Sequence, residues 1–230
     1  EIKKALSQGT FACGMDCSAS GVSSFVHGIQ TQATGLGAHS EGLLTDASGA
    51  YSHAEGHQTL ANTTGTHTEG FSTKAYGVYS HAEGTLSESW GQWSHATGNH
   101  TLIGTDSGTS IGKFNDTSQN VLFVVGDGID DSNRSDAFYV NTDGNTRVGG
   151  NLDVSANLDV SGHTQLIDIS ATNLSLSGTL DVLGHTTLTD VSLNRLSAID
   201  ISAITIRTDT IIANTQIINT SVFGRIDASS

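Results

Sequence analysis

Between Gly14 and Gly98 the chain repeats one heptad, Ser/Thr-x-Ala-x-Gly-x-x, with little interruption. Glycine stands at Gly14, Gly21, Gly28, Gly35, Gly42, Gly49, Gly56, Gly70, Gly77, Gly84, Gly91 and Gly98, and only Thr63 breaks the series. Paired heptads give a stricter period of fourteen, clearest in Ser52-His53-Ala54-Glu55-Gly56 and Ser80-His81-Ala82-Glu83-Gly84. Fixed-period self-similarity means a stack of equivalent rungs, each unable to bury its own faces alone. A helix would need apolar residues at three-and-four spacing and few glycines, and neither is present.

Alternation places the Ser/Thr, Ala and Gly of each heptad on one side of an extended strand. These residues are small, so two such strands can close on each other as a narrow solenoid. The two residues after each glycine read as a corner, with glycine supplying the positive φ. Each coil of fourteen then holds two short strands, and coils stack about 4.8 Å apart. The outward positions differ between the two strands. One keeps the same pair: His39/Glu41, His53/Glu55, His67/Glu69, His81/Glu83, then His95/Thr97. The other drifts: Gln32/Thr34, Asp46/Ser48, Leu60/Asn62, Lys74/Tyr76, Glu88/Trp90. A face kept from rung to rung answers a common packing demand, so His39, Glu41, His53, Glu55, His67, Glu69, His81, Glu83 and His95 are expected at a contact with another copy of the chain.

Four segments follow from the pattern: a connector over 1–10, a roll over 11–113, a β neck over 114–150 and a β shaft over 151–230. In the neck, 120–128 and 136–141 read as strands, with 142–145 as a hairpin turn into 146–148. In the shaft, Leu152/Val154, Leu158/Val160, Leu174/Leu176 and Leu180/Val182 alternate, and Ile199/Ile201 and Ile204/Ile206 follow. A lone ribbon of such strands leaves an apolar stripe uncovered. Three chains around one axis would cover it, which predicts a homotrimer.

Composition removes several functions. With nine basic against twenty-three acidic residues and a net charge of −14, no basic patch exists for nucleic acid. Apolar runs such as Val121–Val125 fall far short of the roughly 20 residues that span a bilayer. The opening Glu1-Ile2-Lys3-Lys4 has neither an initiator Met nor a signal-peptide core, as expected of part of a longer or processed chain. Proline is absent and glycines number twenty-seven, a balance for frequent turns with every backbone donor retained. Cys13 and Cys17 read as two free thiols, with a disulfide within or between chains as the alternative.

The Ser-His-Ala-Glu-Gly heptads resemble the head repeats of trimeric autotransporter adhesins and of the tail- and surface-fibre proteins of bacteriophages and large viruses. The resemblance spans about 11–113. Phe123 to Gly128, Arg134 to Val140 and Gly150 to Ser155 look like the stretch after such heads in viral fibres. It implies an all-β chain with a left-handed parallel β-roll head, three rolls packed side by side, a short β neck and an intertwined trimeric β-helix-like shaft. The implied function is a structural, adhesive fibre segment on a virion surface, displaying a surface for a host glycan, a surface protein or other fibre and capsid proteins. The alternative is the head of a bacterial adhesin binding host matrix or receptors at the cell surface.

No enzyme, cofactor or metal is expected. A flat column of histidines lacks the convergence a metal needs, and packing against Glu or backbone at a subunit contact is the preferred reading. Metal or anion capture on a threefold axis is the weaker one. Tyr76, Tyr79, Trp90 and Trp93 are candidate receptor contacts, with closure of the solenoid end or packing between subunits as the preferred reading. The acidic run Asp127 to Asp131 reads as turn-forming, with Ca²⁺ as the minor alternative. No nucleophile elbow or paired-carboxylate cleft is legible.

Overall fold

The computed structural model describes residues 4–184 and Thr187. The chain divides into two compact units, Glu1–Ser161 and Gly162–Ser230. Among the described residues every regular element is a β-strand, and no helix is long and apolar enough to cross a membrane.

The first unit is a β-solenoid. Each fourteen-residue coil contributes a two-residue strand to an eight-stranded sheet and, in most coils, a five-residue strand to an eleven-stranded sheet. The five-residue strands include Phe11–Met15, Phe25–Ile29, His39–Leu43, His53–His57, His81–Thr85, His95–Asn99 and Thr109–Lys113. The short ones run from Lys4–Ala5 to Leu102–Ile103. Pairing is parallel at an offset of fourteen, so His39 meets His53, Glu41 meets Glu55 and Gly42 meets Gly56.

The space between the sheets is filled by alanine, serine and threonine. Ala33, Ala47, Ala54, Ala61, Ala75, Ala82 and Ala96 are wholly buried, as are Thr31, Thr68, Thr73 and Thr101. Many of the hydroxyls have defined partners. Ser52 Oγ donates to the Gly49 carbonyl at 2.7 Å and Thr66 Oγ1 to the Thr63 carbonyl at 2.7 Å, closing the corner that precedes a long strand. Ser40 pairs with Thr45 within a coil at 2.8 Å, and Thr101 donates to Ser87 of the preceding coil at 2.9 Å. Ser or Thr at the head of many heptads therefore answers a hydrogen-bond demand as well as a size limit, although the hydroxyls of Ser24, Thr59 and Ser110 have no partner.

The corners correct the expectation about glycine. The left-handed residue is the second after the glycine position, and it is seldom glycine. Asp16, Gln30, Leu44, Tyr51, Gln58, Ser72, Tyr79, Leu86, Trp93 and His100 all have φ between 53° and 60°. An L-residue there costs about 1–2 kcal/mol. The offset is a hydrogen bond along the stack: Leu44 N–H donates to the Ile29 carbonyl, Tyr51 N–H to Leu36 and Trp93 N–H to Val78, each at 2.7–2.9 Å.

The glycines serve a different need. A Cβ at Gly42 would stand 2.1 Å from the Gly56 carbonyl oxygen, and one at Gly56 would stand 2.2 Å from that of Gly70. The short-strand series is equally tight: Gly35 faces the Gly49 oxygen at 1.9 Å and Gly77 that of Gly91 at 1.8 Å. The long-strand glycines also hold φ between 91° and 144°. Gly42, Gly56, Gly70 and Gly84 of the long-strand series are exposed, against their expected place on the inner face, whereas Gly21, Gly35, Gly49, Gly77 and Gly91 of the short-strand series are buried as expected. Thr63 interrupts the short-strand series, and its hydroxyl donates to the Tyr76 carbonyl at 3.0 Å.

The segment after the last coil begins as one more rung. Val121–Asp127 pairs parallel to Thr109–Lys113, then Asp136–Asn141 and Thr146–Val148 follow as an antiparallel meander. Buried Asn115 closes the interior: its side chain accepts from Leu102 N–H and donates to Leu102 C=O, both at 2.8 Å. It supplies what the backbone of another short strand would have given. Val121, Val124 and Ile103 fill the space beside it.

The described residues from 151 to 184 form neither strand nor helix. Strands were expected there. Leu152, Leu158, Leu174 and Leu180 are exposed by 63–69 %, Leu183 by 99 %, so among the described residues these side chains have nothing to pack on. The expected pairs Ile199/Ile201 and Ile204/Ile206 lie outside the described residues.

Gly42→Ala and Leu44→Gly test the two roles of the corner. The first should lose about 3 kcal/mol or more of stability, because a Cβ meets backbone that cannot yield. The second should stay within about 1 kcal/mol of the parent, relief of strain offsetting unfolded-chain entropy. Urea unfolding of the two variants checks both.

Candidate functional site

The five kept histidines form a continuous column. His39, His53, His67, His81 and His95 stack with ring centroids 4.5–4.8 Å apart and planes within 11° of parallel. Parallel in-register pairing dictates this, since it repeats one side chain at the interstrand spacing, which is also a ring-stacking distance. Phe11 and Phe25 extend the column at one end, stacked on each other at 5.0 Å, with Phe25 edge-on to His39.

Glu41, Glu55, Glu69 and Glu83 form the neighbouring column. Within one chain the histidines and glutamates stand close without hydrogen bonding. Nε2 lies 3.7 Å from the Glu41 carboxylate at His39, 3.8 Å from Glu55 at His53 and 3.9 Å from Glu83 at His81. His95 Nε2 lies 3.7 Å from the other Glu83 oxygen. These distances exceed a hydrogen bond. All five Nε2 atoms are buried and without a hydrogen-bond partner within the chain.

Protonation follows from this packing. Burial, and then the neighbouring imidazole His53, lower the pKa of His39, with Glu41 opposing. Burial and then His67 lower that of His53, with Glu41 and Glu69 opposing. His81 falls to about 4, through burial and then His67 and His95, with Glu83 opposing. The carboxyls respond to one another. Hydrogen bonding with Glu55 and Glu83 raises Glu69, and the Thr97 hydroxyl, donating to Glu83, lowers that residue.

A groove runs along this face, lined by Glu41, Glu55 and Glu69 and floored by the exposed main chain of Gly42, Gly56 and Gly70. Three sets come within 4.8 Å as would-be metal ligands: His39/Glu41/His53, Glu55/His67/Glu69 and His81/Glu83/His95. The two-histidine sets use parallel rings one above the other, whose lone pairs run side by side. A zinc ion needs them to converge at about 2.0–2.1 Å, so the column is a poor chelator.

The aromatic candidates sit elsewhere. Tyr76 stacks on Trp90 at 4.1 Å, and Trp90 Nε1–H donates to Glu88 Oε2 at 3.0 Å, while Lys74 Nζ donates to Glu88 Oε1 at 2.8 Å. Tyr79 and Trp93 are left-handed corner residues, 58 % and 59 % exposed. Tyr51 shares their corner, and its ring lies over Gly37 as that of Tyr79 lies over Gly65. None of the four closes the solenoid, which continues through Leu102–Ile103, Thr109–Lys113 and Val121–Asp127. The capping alternative therefore fails, and the closing residue is Asn115. Asn115 lies outside the heptads, so the repeat gave no sign of it.

The remaining candidates resolve locally. The Asp130 carboxylate accepts from Ser132 N–H, Asn133 N–H and Asn133 Nδ2 at 2.9 Å, and Asn133's side chain, then Ser132's N–H, hold its pKa low. Asp131 pairs with Arg134, whose guanidinium also donates to the His100 and Asn115 carbonyls. This acidic run is a pinned turn. Cys13 and Cys17 are free thiols; buried Cys17 donates to the Gly28 carbonyl at 3.1 Å and accepts from Thr31 at 3.2 Å.

No known family model matches this chain, and no curated protein matches it either.

The depressed histidines make the fold acid-sensitive. Their folded pKa values lie below the unfolded 6.5, so the unfolded chain binds more protons and stability falls as pH drops from about 6.5 toward 4. Glu69, raised by its neighbours, works in the opposite sense. The double variant His53→Gln/His81→Gln should flatten the loss over this window, as read by thermal unfolding at about pH 7, 6, 5 and 4.

Proposed function

We propose that the chain is a homotrimeric structural and adhesive fibre segment, exposed on a virion surface or an equivalent extracellular surface. Its head is the solenoid, with the left-handed roll that the resemblance to fibre and adhesin heads implies. The neck spans 114–150 and the intertwined β shaft 151–230.

The observation that carries this reading is where the side chains go. The interior is packed with Ala, Ser and Thr, so it leaves no space for a substrate. Chemical variety is confined to two outer faces that repeat at every coil. One face keeps its histidines and glutamates, as a surface made for a regular neighbour does. The other carries the aromatic cluster Tyr76, Tyr79, Trp90 and Trp93, a surface suited to a host glycan or surface protein. The exposed aliphatics between Leu152 and Leu183 call for cover from further chains. Display of a binding surface at the end of a rigid spacer follows from such a body.

Native mass measurement of the full chain should give three copies, and a folded monomer would overturn the assembly. Trp90→Ala and Trp93→Ala should each weaken binding to a recognised host glycan by about tenfold or more, with unfolding unchanged. Retention of full affinity in the double variant would remove the aromatic cluster from the contact.

A further inference from the structure

We infer that the groove beside the glutamate column is the seat for the histidine column of a second copy of this chain, so that each Glu41, Glu55, Glu69 and Glu83 carboxylate receives an imidazole from the partner. The inference rests on the trimeric reading above and specifies its contact.

Three features identify the occupant. The groove is lined by the carboxylates of Glu41, Glu55 and Glu69, and the imidazoles beside it are partly exposed, their Nε2 edge turned inward and the outer edge of each ring left for a neighbour. A row of carboxylate acceptors and a row of half-exposed imidazoles are complementary surfaces. The rise of a docked column must also match that of the groove over several coils. The chain's own parallel register, fixed at fourteen residues per coil, guarantees that match for a second copy. Finally, the groove floor is bare glycine main chain, a surface on which a flat ring can lie. The molecule already uses this packing at its other corner, where the rings of Tyr51 and Tyr79 cover Gly37 and Gly65.

The contact is heterologous, because two different columns of one face meet. Repeated around an axis parallel to the stack, it closes into a ring in which each copy gives a histidine column and receives one. The flanking coils limit the register on one side. Phe11 and Phe25 continue the histidine column at one end, and Thr97 replaces glutamate beside His95 at the other. A slip by one coil that brings Phe25 against Glu41 leaves both His81 and His95 without a carboxylate, against His95 alone in register; the opposite slip still gives every glutamate a histidine.

Mixed oligomers test this. Full-length chains carrying His67→Cys are co-expressed with chains carrying Glu69→Cys, oxidised, and mapped by peptide mass, with native mass recorded in parallel. Phe25→Cys with His27→Cys, both at exposed positions, forms a second pair on the same two columns should the first pair not fold. The expected result is a trimer in which disulfides join position 67 of one chain to position 69 of another, or position 25 to position 27. These mixed bonds should be at least about tenfold more abundant than bonds between identical positions, because only the mixed pair lies within disulfide reach. A trimer whose only disulfides join identical positions, or that forms none, overturns the groove contact and leaves the trimer standing. A monomer overturns both.

Discussion

The approach of one coil's backbone to the next governs everything else in the solenoid. Wherever the two glycine ladders run, a carbonyl oxygen of the following coil occupies the place of a Cβ, at 1.8–2.3 Å. At these glycines nothing larger than hydrogen fits without moving main chain, and Thr63 is the one place between Gly14 and Gly98 where a ladder position carries a side chain. Between the two sheets a separate size limit holds, and Ala, Ser and Thr fill the interior through most of the stack. The in-register stacking follows as well, and from it the histidine column. The left-handed corners follow too, since turning the N–H onto the preceding coil's carbonyl requires that conformation, and mostly non-glycine residues bear its strain.

Polar columns have a particular energetic character in such a stack. Repeating an apolar residue at every coil is favourable, as Phe11 over Phe25 illustrates. Repeating an ionisable one sets like groups at about 4.8 Å, where full charge on each is costly. Burial first, and the neighbouring imidazole second, lower the pKa of His39, His53 and His81, while hydrogen bonding with Glu55 and Glu83 raises that of Glu69. The arrangement is tolerated in one copy rather than optimised there.

The period of fourteen, the two-sheet coil, the inward Ala and Ser/Thr positions and the distinction between a kept and a drifting face were all legible in the amino-acid order. They depend on side-chain size and alternation, which a repeat displays many times over. The purpose of glycine was misread, because its usual association with positive φ hides the stronger demand of a neighbouring carbonyl. Asn115 was invisible for a different reason: it acts once, at a terminus, by imitating backbone. The spacing of 3.7–3.9 Å between each Nε2 and its glutamate within the chain was also out of reach, since it depends on rotamers rather than residue type. Beyond 150, alternation in Leu152/Val154 and its successors states a local preference. Whether it becomes strand depends on partners that one chain does not contain.

The two halves of a coil are similar in sequence but belong to different sheets, and this limits how such a chain can change length. Insertion or loss of fourteen residues adds or removes one storey and leaves every column continuous. A change of seven residues would satisfy the same heptad of small residues and glycine, yet it would exchange the sheets beyond that point. The histidine column would stop on one side of the body and resume on the other. Growth by recombination is therefore expected in whole coils, even though the shortest repeat in the sequence is half of one.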